Sequence, residues 1–496
     1  MAFVLVLVVT ELPGPGLDPD ALAYLGSAES IALHGSYRIP VAQWASADST
    51  EPLAHFPPAY STVLAVPVKL GMPPTQAARL VEALAAFVTV TMLAFLVASA
   101  ASLTAAALCV AALFVMTSMH EVHVSVLSEP LYLACTALVL ASMALAPSRP
   151  WRAGIPAAVG LMTRYVGASL VGAVALWALI QPGPWPVRIR RAAIACTPAL
   201  LLEIAWILRT RAAQGAEEIR TFAIYGNLGA TLEQGAKTVS AWLIPDAAFD
   251  RTTIPHRGLF AIALAMSLVA LVGSGALRAL RASWNPADVR AAVAKRLMSA
   301  MTLLVVCYLA VVGASRLFAD PDIPLDRRIL APVFLLLAML TSVGMWYWWR
   351  GTRLMVARVA VSVAFITWWI ASAGVVREEA RFILTFGSDL AGVQWRQSEV
   401  LSWTRTEGSD AMLWTNWPAA VYFHLHRPAH ELPKNREMTP TTLAAFADTV
   451  RARDGRVILF NVQTGEYPAN AVLSKLPGLR VVEVLRDGLV LGPATP

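Results

Sequence analysis

The sequence predicts a polytopic α-helical membrane protein that carries a small C-terminal α/β domain. Three observations lead there. Of its 496 residues, 57% are hydrophobic and 14% charged, where a soluble globular chain carries about 25% charged residues. The uncharged residues gather into long runs, many near the roughly 20 residues that a membrane helix needs. Beyond Arg377 the long runs stop, and short segments separated by turn signals begin.

Met1 to Thr10 is apolar but short, and it lacks the basic start and small-residue cleavage site of a signal peptide. It reads as the end of a first membrane helix, either short or clipped by a mis-assigned start. A polar segment, Leu17 to Tyr60, follows. Asp18-Pro19 is a helix start, with a carboxylate at the N-cap and proline at the first helical position. Leu22, Leu25, Ile31 and Leu33 would form the apolar side of this helix, and Gly35 would end it. Asp20 and Tyr24 stand four apart and share a face. Ala59 to Leu70, interrupted by Pro67, fits a helix lying along the membrane surface.

From Ala77 the crossings become clear. Residues 77–100 and 103–116 form a hairpin, the polar loop 118–129 follows, and 130–146 returns. Residues 153–163 and 166–180 are short apolar pieces on either side of Arg164. Residues 192–208 lead into a long polar loop, 209–257, and 258–277, 297–312, 329–345 and 356–375 complete the set. The expected total is about eleven crossings, with a membrane domain over 1–376, a first loop at about 11–76 inside it, and a tail domain over 377–496.

Short loops at Arg149, Arg188, 278–296 and 350–358 are all basic and alternate with the others, so they belong in the cytoplasm. The loops at Asp18, His120, Arg164, Glu217 and Asp320, and the tail, then lie outside. A net charge of +7 spread over such loops speaks for a lipid bilayer as partner and against nucleic acid. Trp346-Tyr347-Trp348-Trp349 fits an interfacial aromatic belt. Cys109, Cys135, Cys196 and Cys307 all sit in apolar runs, where cysteine behaves as a small hydrophobe.

In the tail, 411–415 reads as a strand, 418–425 and 440–453 as helices, and 456–460 and 479–485 as strands. Asp487-Gly488 is a hairpin signal before 489–491.

The Asp20-x-x-x-Tyr24 spacing, the trailing Gly35 and Phe56-Pro57-Pro58-x-Tyr60 together resemble the first extracytoplasmic loop of the GT-C membrane glycosyltransferases. That superfamily includes protein O-mannosyltransferases and lipid A aminoarabinose transferases. The resemblance implies that an aspartate after the first membrane helix is the catalytic base; Asp20 matches, with Asp18 as the fallback. Ser128-Glu129-Pro130-Leu131 is similar to the acidic start of the fourth membrane helix, which faces the active cavity. A helix-start carboxylate is also what the helix dipole favours. Thr163-Arg164-Tyr165-Val166-Gly167 resembles a re-entrant stretch whose arginine meets the lipid phosphate, and an arginine between apolar pieces is otherwise a snorkelling one. Asp326-Arg327-Arg328-Ile329-Leu330-Ala331-Pro332 looks like the Arg-x-Leu-x-Pro pattern, with Arg328 in register and Asp326 placed to neutralise one arginine. Guanidinium suits phosphate because its planar fork meets two oxygens. Tyr24 and Tyr165 accompany these residues as donor contacts. Asn416-Trp417-Pro418-Ala419 and His430-Glu431-Leu432-Pro433 look like tail domains of some bacterial members. The resemblance covers roughly residues 11–335, in scattered short motifs.

His55, His120 and His123 are the candidates for an acceptor contact or a divalent metal, although a metal normally takes three or four ligands. Neither a phosphate-binding Gly-rich loop nor a Gly-x-Ser-x-Gly elbow is present. The expected activity is therefore transfer of a sugar from a polyprenyl-phosphate donor to a hydroxyl of a glycan, lipid or protein outside the cytoplasm, at the plasma or inner membrane. The competing class is a transporter or flippase of a lipid-linked glycan, for which the inverted repeat common in transporters is not seen.

Overall fold

The computed structural model describes all residues except 215–227, 246–256, 286, 321–322, 409, 438, 463–466 and 495–496. Most of the chain is helical. In order, the helices of the first half are α1 (Ala2–Val9), α2 (Asp20–His34), α3 (Ala59–Lys69), α4 (Pro74–Ala100), α5 (Leu103–Phe114), α6 (Thr117–Val124), α7 (Glu129–Leu145), α8 (Trp151–Thr163), α9 (Ala168–Ile180) and α10 (Trp185–Gln214). They are followed by α11 (Leu228–Leu243), α12 (Arg257–Ala282), α13 (Val289–Phe318), α14 (Ala331–Gly351) and α15 (Met355–Phe386).

The chain divides into two compact units, residues 1–9, 55–60 and 79–383, and residues 10–54, 61–78 and 384–496.

In the first unit, six helices among the described residues are long and apolar enough to cross a membrane: α4, α10, α12, α13, α14 and α15. The α5 and α6 pair, bent by 66°, would make a seventh if it counts as one span. The difference from about eleven lies in the short helices. Those of 12, 17, 13 and 13 residues (α5, α7, α8, α9) reach at most about 25 Å, less than the roughly 30 Å hydrocarbon layer. Leu93, Leu133, Leu140, Leu297, Met301 and Leu335 belong to one buried core shared by α4, α7, α13 and α14. Helices α12 and α14 approach so closely that a Cβ on Gly275 would stand 1.8 Å from the carbonyl oxygen of Gly344, the small-residue contact on which membrane helices pack.

Two stretches expected as polar loops hold helices. Residues 117–124 form α6, and α11 lies within 209–257, where the part around Glu217 is outside the described residues. Packing accounts for α11. Trp242 is buried against Phe334, with ring centroids 5.3 Å apart, and its Nε1 donates to Ser118 Oγ at 3.3 Å.

In the second unit, α2 begins as its sequence dictates. Asp18 Oδ1 accepts from Asp20 N at 3.0 Å, and Gly35, at φ 65°, closes the other end by donating to Ile31 O at 3.0 Å. Its buried face differs from expectation: Ala21 to Ala28 are all buried, whereas Leu33 is 73% exposed. The strands are β1 (Arg38–Ile39), β2 (Val41–Ala42), β3 (Glu51–Pro52), β4 (Leu413–Thr415), β5 (Ala429–Glu431), β6 (Arg456–Phe460), β7 (Leu479–Leu485) and β8 (Gly488–Pro493). Six of them form one sheet in the order β2-β5-β4-β6-β8-β7, parallel from β2 to β6 and antiparallel beyond. The edge strand β2 comes from the first polar segment, with Val41 opposite Ala429. Further ties bind that segment to the tail: Leu390 N donates to Leu17 O at 3.1 Å, Trp414 Nε1 to Trp44 O at 3.0 Å, and Tyr422 OH to Glu29. The first segment and the tail therefore share one sheet and one core, built on Trp414, Phe446, Val457 and Leu491.

Candidate active site

Within the first unit, three sequence-distant residues meet. Helix α7 opens at Glu129 with Pro130 in its first turn, and this end packs so tightly that the Glu129 side chain is 2% exposed. Helix α8 stops at Thr163 because Arg164 takes an extended conformation, φ −149° and ψ 137°, before a single 3-10 turn, Tyr165–Gly167, leads into α9. The chain doubles back closely at this break. A Cβ on Gly167 would lie 2.4 Å from Gly160 O, so only glycine fits. The third residue, Arg328, precedes α14 in a turn in which Asp326 Oδ1 accepts from Ile329 N at 2.8 Å.

Arg164 Nη1 stands 2.5 Å from Glu129 Oε1 and donates to Ser128 Oγ at 3.2 Å. Arg328 Nε donates to the same Glu129 oxygen. Two guanidinium groups thus converge on one carboxylate, and the trio carries −1 + 1 + 1, a surplus of one positive charge. The arginine side chains keep 16% and 19% exposure, while Glu129 Oε2 is buried without a hydrogen-bond partner among the described residues. Behind the trio, Tyr132 OH shares a hydrogen bond with Ser169 Oγ at 3.1 Å, and Tyr308 OH donates to Ile329 O at 2.5 Å. A guanidinium stays charged at physiological pH and presents a planar fork to oxyanions, so the pair of arginines has the chemistry to meet a second oxyanion beside Glu129.

The structure separates the adjacent arginines. Arg327 Nη1 meets Glu379 Oε1 at 3.0 Å, away from Glu129. His120 Nδ1 lies 3.9 Å from the other oxygen of that carboxylate, and His123 Nδ1 lies 2.7 Å from Met119 O. The two histidines face different partners, and no group of three or more His, Cys, Asp or Glu suited to a metal exists among the described residues. His55 sets its ring edge against Phe56, and Tyr165 is half-buried in the turn after Arg164. Asp18, Asp20 and Tyr24 belong to the second unit, at the start of α2, where Tyr24 is 2% exposed. Sequence reasoning passed over Tyr132, Tyr308 and, within α4, Glu82. For Glu82 a signal existed, since a lone acid in an apolar run is a functional marker.

Neither a protein-family model nor a curated protein sequence matches the chain significantly. Among solved structures it is similar to the arabinofuranosyltransferase AftD from Mycobacteria, with TM-score 0.55 and 13% identity over 100% of this chain and 41% of that one. The chain thus spans about two fifths of AftD. It is also similar to ArnT from Cupriavidus metallidurans in the apo state (TM-score 0.49, 15% identity, 99% and 96% covered). The same protein bound to undecaprenyl phosphate gives TM-score 0.49 at 14% identity, with 100% and 97% covered. An oligosaccharyltransferase from Archaeoglobus fulgidus follows at TM-score 0.47 and 10% identity, with 92% and 69% covered. All are GT-C glycosyltransferases, and the fold expected from the loop motifs is met in the likeness to AftD. At such identities the likeness is one of fold, and the AftD comparison carries it.

Proposed function

We propose that the chain is a GT-C-type glycosyltransferase of a cell membrane, moving a sugar from a polyprenyl-phosphate donor to a hydroxyl of a glycan, lipid or protein. The observation that carries this reading is the convergence of Arg164 and Arg328 on Glu129. In a membrane protein, two arginines gathered on one buried oxyanion at a helix start form a place for a phosphate. Glu129 stands where a ligand oxygen would compete for or share the same donors.

The reaction divides cleanly among the residues. The acceptor oxygen attacks the anomeric carbon, its proton passes to Asp20, and the bond from that carbon to the phosphate oxygen breaks with inversion. The lipid phosphate leaves with one more negative charge than it brought. The surplus positive charge of the trio, already in place, stabilises it as it forms. Asp18 has an oxygen engaged in capping α2, and Asp20, in the first turn of that helix, is the carboxylate proposed as the base. The alternation of basic loops supports placing the site and residues 377–496 outside the cytoplasm.

The test supplies undecaprenyl-phosphate sugars to purified protein in nanodiscs and measures release of free undecaprenyl phosphate. Arg164→Gln and Arg328→Gln should each weaken donor binding by about 1.5–3 kcal/mol, the scale of a charge-assisted hydrogen bond. Lysine at either place should restore part of it. Transbilayer movement of a lipid-linked glycan without any release would instead identify a transporter.

A further inference from the structure

Helix α4 is one of the apolar spans, yet Glu82 sits inside it, fully buried. A carboxylate in such a place is costly and persists where its contacts do something an apolar side chain cannot. Glu82 Oε1 accepts two hydrogen bonds, from Tyr60 OH at 2.9 Å and from Leu127 N at 3.3 Å. Leu127 lies in the short non-helical stretch between α6 and α7, where a backbone N–H has no helical acceptor. The next two residues, Ser128 and Glu129, are those that receive Arg164 and Arg328. Tyr60 is itself fully buried and ends the Phe56-Pro57-Pro58-x-Tyr60 stretch. One carboxylate oxygen therefore ties the exit of the first polar segment to the backbone that presents the cradle.

We propose that Glu82 and Tyr60 are positioning residues that hold the Leu127–Glu129 backbone so that the arginine cradle is aligned for a lipid phosphate. This rests on the reading that Arg164 and Arg328 bind that phosphate. An apolar residue at position 82 would fill the helix, but it would remove the acceptor that Tyr60 OH and Leu127 N share.

The experiment measures the Kd for undecaprenyl phosphate in detergent micelles, with undecaprenol as the neutral control, together with the melting temperature of each variant. Tyr60→Phe and Glu82→Ala should raise the phosphate Kd roughly three- to tenfold, the equivalent of one hydrogen bond, and leave the undecaprenol Kd unchanged. Glu82→Gln keeps an acceptor and should recover most of the affinity. In an Arg164→Gln background, Tyr60→Phe should add nothing, because both act on one site. Tyr60→Phe is the variant least disposed to unfold, so wild-type affinity in folded Tyr60→Phe overturns the proposal. So does an undiminished loss in the Arg164→Gln background. If Arg164→Gln alone leaves phosphate binding intact, it is the donor reading that fails, and the positioning role falls with it.

Discussion

In a Glu129→Ala protein, Arg164 and Arg328 lose the carboxylate oxygen they share. The local charge changes from +1 to +2 on groups that are 16% and 19% exposed. Unit charges 4 Å apart interact by about 4 kcal/mol at an effective dielectric of about 20, so the change removes two attractions and leaves the existing repulsion between the two arginines uncompensated. Breaking a buried pair in this way costs about 3–5 kcal/mol, chiefly because an uncompensated charge stays behind. Arg164→Gln behaves differently, since it leaves Glu129 and Arg328 as a neutral pair and should cost less. The assay is thermal unfolding in detergent micelles, followed by tryptophan fluorescence at rising inorganic phosphate and, in parallel, at rising chloride of equal ionic strength. Phosphate supplies the missing anion to the folded state and should raise the melting temperature of Glu129→Ala more than that of the wild type. Chloride should not reproduce that difference beyond screening. If Glu129→Ala melts with the wild type and responds to phosphate no more strongly, the cradle does not bind phosphate in the manner argued.

Asp18→Asn should be mild because asparagine caps nearly as well, and Asp18→Ala should cost about 1 kcal/mol. Asp20→Asn, by contrast, should lower turnover about 10²–10⁴-fold with donor affinity preserved; the reverse pattern in steady-state kinetics would exchange the two roles. Gly167→Ala drives a Cβ to 2.4 Å from Gly160 O and 2.5 Å from the Leu161 Cα. It should cost about 1–3 kcal/mol and weaken lipid-phosphate binding, while Gly172→Ala, which meets open space, should be silent in the same binding assay. In the second unit, burial lowers the pKa of His424 and of His430, the latter helped by the charge of Arg453. Unfolded histidine titrates near 6.5, so below about pH 6.5 the unfolded chain takes up protons that the folded one refuses. Stability of this unit is then full above that pH and falls below it, by up to about 1.4 kcal/mol per pH unit per histidine. Urea unfolding at pH 7.5 and 5.5 reads this directly, and His430→Gln should flatten the dependence.

Several elements lie where local signals predict them. The helix Pro418–Leu425 and the strands Arg456–Phe460 and Leu479–Leu485 have the expected bounds, because proline starts, alternation and the hairpin turn act over a few residues. Helices α6 and α11 escaped notice because their own residues are too polar to announce a span, and their helicity rests on partners such as Phe334 beneath Trp242. The joint sheet of the first segment and the tail was equally hidden. The pairing of Val41 with Ala429 links short strands nearly four hundred residues apart, and nothing in either strand specifies the other.

By itself the sequence determined the solvent of each segment and the chemistry on offer. Apolar runs must leave water, basic loops set a preferred side, and arginine, aspartate and glutamate at the ends of apolar runs are too costly to be idle. Only the tertiary structure decided which of these groups meet. Arg327 and Arg328 are neighbours with the same charge, yet consecutive side chains point in different directions, so one reaches Glu379 and the other Glu129. That choice depends on how α7, the Arg164 break and the turn before α14 pack together, a geometry distributed over two hundred residues and written in no local pattern.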